Sequence, residues 1–260
     1  WMLGFTIIPL LMVVYYGLTS RSDGSFTLDN IRLIASAENL QALWLSIRLS
    51  LLSTLLCLLI AYPLAMILRN MKFKNNSLLV MLFIMPMWIN SLLRIVAWQN
   101  ILERNGVLNT LLQHLHLPAL NIINSPVAIV LGMVYDFLPF MILPLYNTLV
   151  KIDENVINAA HDLGAGHVYT FARIILPLSL PGVISGITMV FVPSLTTFVI
   201  SDILGGSKVL LIGNVIEQQF QKLANWHSGS GLSLVLMLFV LLSMALVAKY
   251  DKGEGSANVW

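Results

Sequence analysis

A chain of 260 residues with 58% hydrophobic and 10% charged side chains and a mean hydropathy of +0.85 lies outside the ordinary soluble class, in which about 25% of residues are charged. Its 14 basic and 12 acidic residues leave a net charge of +2, and the basic residues are scattered, which excludes a nucleic-acid surface. The single cysteine, Cys57, excludes an internal disulfide framework; set in an apolar run, it reads as a small buried side chain rather than a reactive thiol.

A span needs about 20 largely apolar residues to cross about 30 Å of hydrocarbon. Lipid offers the backbone no hydrogen-bond partner, so each span must be helical. Six such stretches predict an all-α polytopic membrane protein with one transmembrane domain over residues 1–250. The first, 1–18, opens at Trp1 inside an apolar run, so a short segment is expected to precede it. No small-residue cleavage pattern follows and five further spans do, so a retained helix is expected rather than a signal peptide. The second and third spans cover 43–68 and 78–101, and the fourth covers 125–149. Beyond a polar loop at 150–180 come the fifth and sixth, 181–204 and 230–248, then a polar, Gly-rich tail, 251–260, to which no role is assigned. Pro63, Pro86, Pro139, Pro144 and Pro193 fall inside spans. Each removes one ladder bond and frees the carbonyl four residues earlier, which neighbouring helices or water must satisfy.

An even number of spans puts both termini on one side. That side collects Arg69, Lys72, Lys74, Lys151, Arg173, Lys249 and Lys252, against Arg21, Arg32, Arg104, Lys208 and Lys222 in longer loops opposite. Three of the first set crowd the short 69–77 loop, where the positive-inside rule applies best. The termini and the 150–180 loop are therefore expected to face the cytoplasm.

That loop carries the most specific pattern in the chain: Asn158-Ala159-Ala160, three residues, Gly164, nine residues, then Ile174-Ile175-Leu176-Pro177. The Ala-rich stretch 154–163 favours a helix and Gly164 supplies a stop. Gly166 and Pro177 are expected to bracket a second short helix bearing Val168, Phe171 and Ile174 at spacings of three. The pattern resembles the EAA loop of binding-protein-dependent ABC importer permeases, which reads Glu-Ala-Ala, three residues, Gly, nine residues, Ile-x-Leu-Pro. Asn158 stands where the family has glutamate, which removes the salt bridge that residue would supply.

The resemblance implies the six-helix fold of a type I ABC importer permease in a bacterial cytoplasmic membrane. It implies that Asn158, Ala159, Ala160, Gly164, Phe171, Ile174, Leu176 and Pro177 couple the chain to an ATPase subunit, whose groove buries the loop's apolar side chains. Packing beneath the permease's own helices is the alternative. The expected partners are a second, similar permease, two ATPase subunits, an external substrate-binding protein and membrane lipid. The sequence has no Gly-x-x-x-x-Gly-Lys-Ser/Thr loop, and Gly205-Gly206-Ser207-Lys208 lacks the first glycine at the required spacing. No cofactor is therefore expected on this chain; ATP and Mg²⁺ fall to the partner ATPases.

The blocks Tyr135-Asp136-Phe137-Leu138-Pro139-Phe140, Ser201-Asp202-Ile203-Leu204-Gly205-Gly206 and Leu211-Ile212-Gly213-Asn214-Val215-Ile216, followed by Phe220, resemble the B-type permease of spermidine/putrescine importers. The likeness runs from about residue 75 to about residue 230, and it implies a polyamine cargo. The residues can be weighed independently. Asp136 lies about halfway along the fourth span, where an acid costs about 2.5–3.5 kcal/mol and must face the interior or a polar cavity. With the carbonyl of Tyr135 freed by Pro139, it offers acceptors suited to an ammonium group. The competing role is an internal ion pair with Arg94 or Arg48, both expected nearer the outer face. In the fifth span Phe191, Ser194, Phe198 and Asp202 recur at steps of three or four and are expected to share one face of the path. Helix–helix hydrogen bonding is the alternative for the serine. Glu103 is expected to be solvated.

His114, His116, His161, His167 and His227 lack metal-ligand company, and no nucleophile–base set occurs at matching depth. A transport subunit is expected rather than an enzyme. Two other readings stay open: a permease for another small solute, and a self-sufficient secondary transporter, which would not need the loop pattern.

Overall fold

The computed structural model describes residues 2–71, 85–206 and 208–255, which are helical almost throughout. In chain order the helices are α1 (Met2–Leu18), α2 (Asp29–Arg32), α3 (Ala37–Asn70), α4 (Ser91–Leu102), α5 (Val107–His114), α6 (Pro126–Leu149), α7 (Glu154–Asp162), α8 (His167–Thr196), α9 (Val199–Gly205), α10 (Ile212–Gln221) and α11 (Trp226–Gly255). Local chemistry sets their starts. Ser36 caps α3 by accepting from the Asn39 N–H, and Ser125 caps α6, with Pro126 at the first helical position, where its missing N–H costs nothing.

Among the described residues, four helices are long and apolar enough to cross a membrane: α3, α6, α8 and the Trp226–Leu246 part of α11. The shorter apolar segment Gly4–Leu18 belongs to the expected first span. The expected third span is described only in part. Residues 78–84 lie outside the described residues, Met85–Trp88 form a 3₁₀ turn, and α4 adds 12 residues, about 18 Å of helix at 1.5 Å per residue.

The fifth span departs from expectation at both ends. Instead of a short bracketed helix followed by a separate span at 181, α8 runs unbroken from His167 to Thr196. Pro177 is accommodated because Phe171–Ile175 form a π-helical turn, in which the Leu176 N–H reaches back five residues to the Phe171 carbonyl. At the far end the helix stops at Thr196, well short of residue 204. Thr197 is extended, and α9 starts after Phe198. Asn214 holds this break: its Nδ2 donates to the Phe198 carbonyl at 3.0 Å, and its Oδ1 accepts from the Ser201 hydroxyl.

The core is the α3–α6–α8 trio, with α4 and α9 laid against α6 and with α1 and α11 paired at the periphery. Lipid is as apolar as leucine, so close packing rather than hydrophobic transfer must hold helices together. Small residues make this possible. Cys57, Ala61 and Ala65 of α3 are fully buried, and the Cys57 thiol lies 3.7 Å from the Val134 carbonyl of α6. On α8, Gly182 and Gly186 are four apart. A Cβ on Gly182 would sit 2.6 Å from Thr148 Oγ1, and one on Gly186 2.6 Å from Met141 Sδ.

Candidate functional site

The loop between α6 and α8 is a rigid corner. Asn158, Ala159 and Ala160 lie on α7, which Asp153 caps through the Asn155 N–H at 2.9 Å. The helix ends in a Schellman turn: the Gly164 N–H donates to the His161 carbonyl and the Ala165 N–H to the Ala160 carbonyl, both at 2.9 Å. Gly164 has φ +84°, with open space around the position of a Cβ. It is required for its left-handed backbone and not, as a crowded turn would have it, for lack of room.

The C-terminal end of α3 clamps this corner. Arg69 Nη2 donates to the Ile152 carbonyl at 3.0 Å, the Tyr62 and Ser179 hydroxyls bond at 2.7 Å, and the Tyr62 and Phe171 rings meet edge-on at 5.5 Å. Phe171, expected as an outward anchor, is half-buried with its ring against Tyr62. The ring contact falls at the first residue of the π turn. Ile174 and Pro177 are half-buried as well, and Leu176 is partly exposed. The side chains that stand out are Leu163 at 89% exposure and Val168 at 82%, with Tyr169 beside them. Leu163 escaped the sequence reading because it falls between the motif's fixed positions. The available signal was an apolar residue directly before a helix-stopping glycine.

In the interior, Asp136 on α6 meets Arg94 on α4. Arg94 Nη2 lies 2.8 Å from Asp136 Oδ1, and the two side chains are only 9% and 12% exposed. Arg94 thus sits at the depth of mid-α6 rather than nearer the outer face. Arg48 is engaged elsewhere, its guanidinium 4.9 Å from the Trp44 ring centroid. The Arg94 Nε and Nη1 atoms are buried without a partner among the described residues. Tyr135 packs edge-on against Trp98, one turn beyond Arg94, at 5.3 Å.

The fifth-span residues are not gathered onto one face, because the break after Thr196 re-aims the residues beyond it. Phe191 lines an apolar cavity of about 320 Å³ between α8, α3 and α11. Ser194 is fully buried with its hydroxyl unpartnered among the described residues. Phe198 lies in the break and lines a second cavity, toward α10 and α11. Asp202, on the short α9, is exposed. Glu217, which lines the same cavity as Phe198, was missed by the sequence reading. Its signal was the apolar and polar alternation of α10 at helical spacing.

Residues 58–253 match a family described as the binding-protein-dependent transport system inner membrane component. The chain is 37% identical over 259 residues to the spermidine/putrescine transport system permease protein PotB of Haemophilus influenzae, covering 97% of this chain and 91% of that one. It is 38% identical over 251 residues to the PotB protein of Escherichia coli, covering 94% and 91%. Among solved structures, a chain of a bacterial ABC transporter involved in import of the acidic polysaccharide alginate superposes with a TM-score of 0.77 at 15% identity, over 98% of this chain and 92% of that one. At that identity the superposition establishes the fold, that of an ABC transporter permease. Spanning helices, loop pattern and matched residues agree that this multi-pass membrane chain belongs to the binding-protein-dependent transport system inner membrane components.

Proposed function

We propose that the chain is one of two permease subunits of an ATP-driven importer whose cargo is a polyamine of the spermidine/putrescine class. Identity of 37% and 38% across almost the whole chain to permeases named for those solutes carries the cargo assignment. In this reading ATP and Mg²⁺ are handled by two separate ATPase subunits, and an external binding protein delivers the polyamine. Both termini and the α6–α8 corner face the cytoplasm of a bacterial cell, with the chain in the cytoplasmic membrane.

The corner supports a docking role by its shape. Leu163 and Val168 are nearly bare apolar side chains on a backbone held from beneath by Arg69 and Tyr62. Such a surface needs a partner to cover it. Because α8 is continuous from the corner into the membrane, a push on Val168 tilts a helix of the core. Asn158, Ala159, Ala160 and Gly164 then serve to build the corner, and Phe171, Ile174, Leu176 and Pro177 tie it to the core.

The test is uptake of labelled spermidine and putrescine into proteoliposomes holding the complex purified with its native partners. Uptake is expected to require ATP and the loaded binding protein, and to persist when ionophores collapse every ion gradient. Gradient-driven uptake without ATP would establish a secondary transporter instead. ATP-driven uptake of another solute, with none of either polyamine, would overturn the cargo assignment alone.

A further inference from the structure

Between the end of α8, α10 and α11 lies a cavity of about 500 Å³. Gly213, Ile216, Glu217, Phe220 and Gln221 line it from α10, at steps of three and four that place them on one helix face. Glu217 is half-buried, and it is the one charged side chain among the described lining residues. Its carboxylate has neither an ion pair nor a hydrogen bond among the described residues. A carboxylate that is partly withdrawn from water and has no cation beside it gains from one, so the arrangement favours a positive guest.

Of the remaining polar groups, the Gln221 amide can donate or accept, and the two hydroxyls are set to accept. The Thr196 hydroxyl donates to the Val192 carbonyl at 3.2 Å and the Ser233 hydroxyl to the Gly229 carbonyl at 2.8 Å. With those protons committed, both oxygens offer only lone pairs to the cavity. Phe198 and Phe220 add aromatic rings, and Phe220 is fixed edge-on to Trp226 at 5.5 Å. Leu236, Met237 and Val240 make the α11 wall apolar.

These features select one chemistry. An anion would meet Glu217 with no cationic side chain among the described lining residues to offset it. A hard metal ion takes about six or more oxygen ligands, and one carboxylate with two hydroxyls falls short. A neutral apolar guest would cover the carboxylate without pairing it. A primary ammonium at the end of a methylene chain satisfies each wall: carboxylate and hydroxyl oxygens for the N–H groups, aromatic rings for the charge, and aliphatic side chains for the methylenes.

We infer that the Glu217–Phe198–Phe220 cavity is a subsite of the transport path that holds an alkylammonium end of the cargo, with Glu217 as its counter-charge. The inference rests on the polyamine cargo proposed above. It also relocates the acid that meets the cargo: Asp136 is already neutralised by Arg94, whereas Glu217 has no cation beside it among the described residues.

The experiment uses the whole complex in proteoliposomes with spermidine-loaded binding protein. Glu217→Gln is expected to lower spermidine uptake about tenfold, the loss of one charge-assisted contact, while ATPase stimulation by the loaded binding protein stays within about twofold of wild type. Glu217→Asp keeps the charge and retains most of the uptake. Phe198→Leu keeps the bulk but not the π face, and it lowers uptake about threefold. Uptake by Glu217→Gln equal to wild type overturns the subsite. So does a Glu217→Gln complex that fails to assemble or loses ATPase stimulation, since the residue is then structural. A wild-type complex that carries no polyamine at all is a separate result, and it removes the cargo assignment itself. Because uptake reads cargo alone, occupation of the cavity by a lipid ammonium headgroup would leave Glu217→Gln transporting normally.

Discussion

Burying a guanidinium beside a carboxylate takes both groups out of water, and only their mutual contact offsets that cost. At Arg94 and Asp136 the contact is a single approach of 2.8 Å, with two guanidinium nitrogens left without partners among the described residues. Removing one partner leaves the other charged and stranded, at about 3–5 kcal/mol. Asp136→Asn is therefore expected to lower the melting temperature and yield of the detergent-purified complex, and adding Arg94→Leu is expected to recover most of the loss. A wild-type melting curve for Asp136→Asn alone would show that the pair carries no structural weight. Paired with normal assembly, loss of uptake in that variant would return Asp136 to the substrate path.

At the scale of single elements, the α7–α8 corner separates docking from folding. Leu163 and Val168 have almost no contact with the rest of the chain, whereas Phe171 lies against Tyr62. Leu163→Asp with Val168→Asp is expected to leave the permease folded while abolishing retention of the ATPase subunits in affinity purification. Phe171→Ala should do the reverse, destabilising the chain by about 3 kcal/mol or more while sparing the docking face. If Phe171→Ala released the ATPases from an otherwise normally stable permease, the inward placement of its ring would be wrong. Gly164→Ala forces a β-carbon into φ +84°, at about 1–2 kcal/mol. It is expected to reduce ATPase stimulation by loosening the corner, even though the added methyl meets no neighbour. Between α6 and α8, Gly186→Leu would drive a side chain into Met141. A loss of about 1–3 kcal/mol from overpacking should appear as a lower melting temperature, with no selective effect on ATPase docking.

Over the whole molecule, burial is uneven. Half of the α6 spanning window is enclosed by the chain, against 39% for α3 and 33% each for α8 and α11. The helix at the centre is thus α6, and much of the others is left for lipid or for another subunit. Two permeases sharing that surface, with two ATPases below, are expected in the intact complex. Native mass measurement should show one copy of this chain with a second, different six-span subunit. A complex containing two copies of this chain would remove the heterodimer.

Much of this was legible in the sequence, for a physical reason. Lipid forces every spanning backbone to bond to itself, so apolar length pointed to a helix at 1–18, 43–68, 125–149 and 230–248. There α1, α3, α6 and α11 lie, with α3 and α11 extending beyond those bounds, and the glycine after α7 marked a turn that a left-handed backbone makes. The loop pattern and the helix ends were local facts, carried by residues close together in the chain. Three decisions belonged to the tertiary structure. Pro177 read as a boundary, but a π turn let α8 pass through it. Thr196 ended that helix because Asn214, distant in sequence, takes hold of the Phe198 carbonyl and the Ser201 hydroxyl. Asp136 became neutral in sum because α4 brings Arg94 beside it, leaving Glu217 as the carboxylate with a cavity and no partner among the described residues. Each depends on which groups meet across helices, and helical periodicity carries no information about the neighbour on the other side.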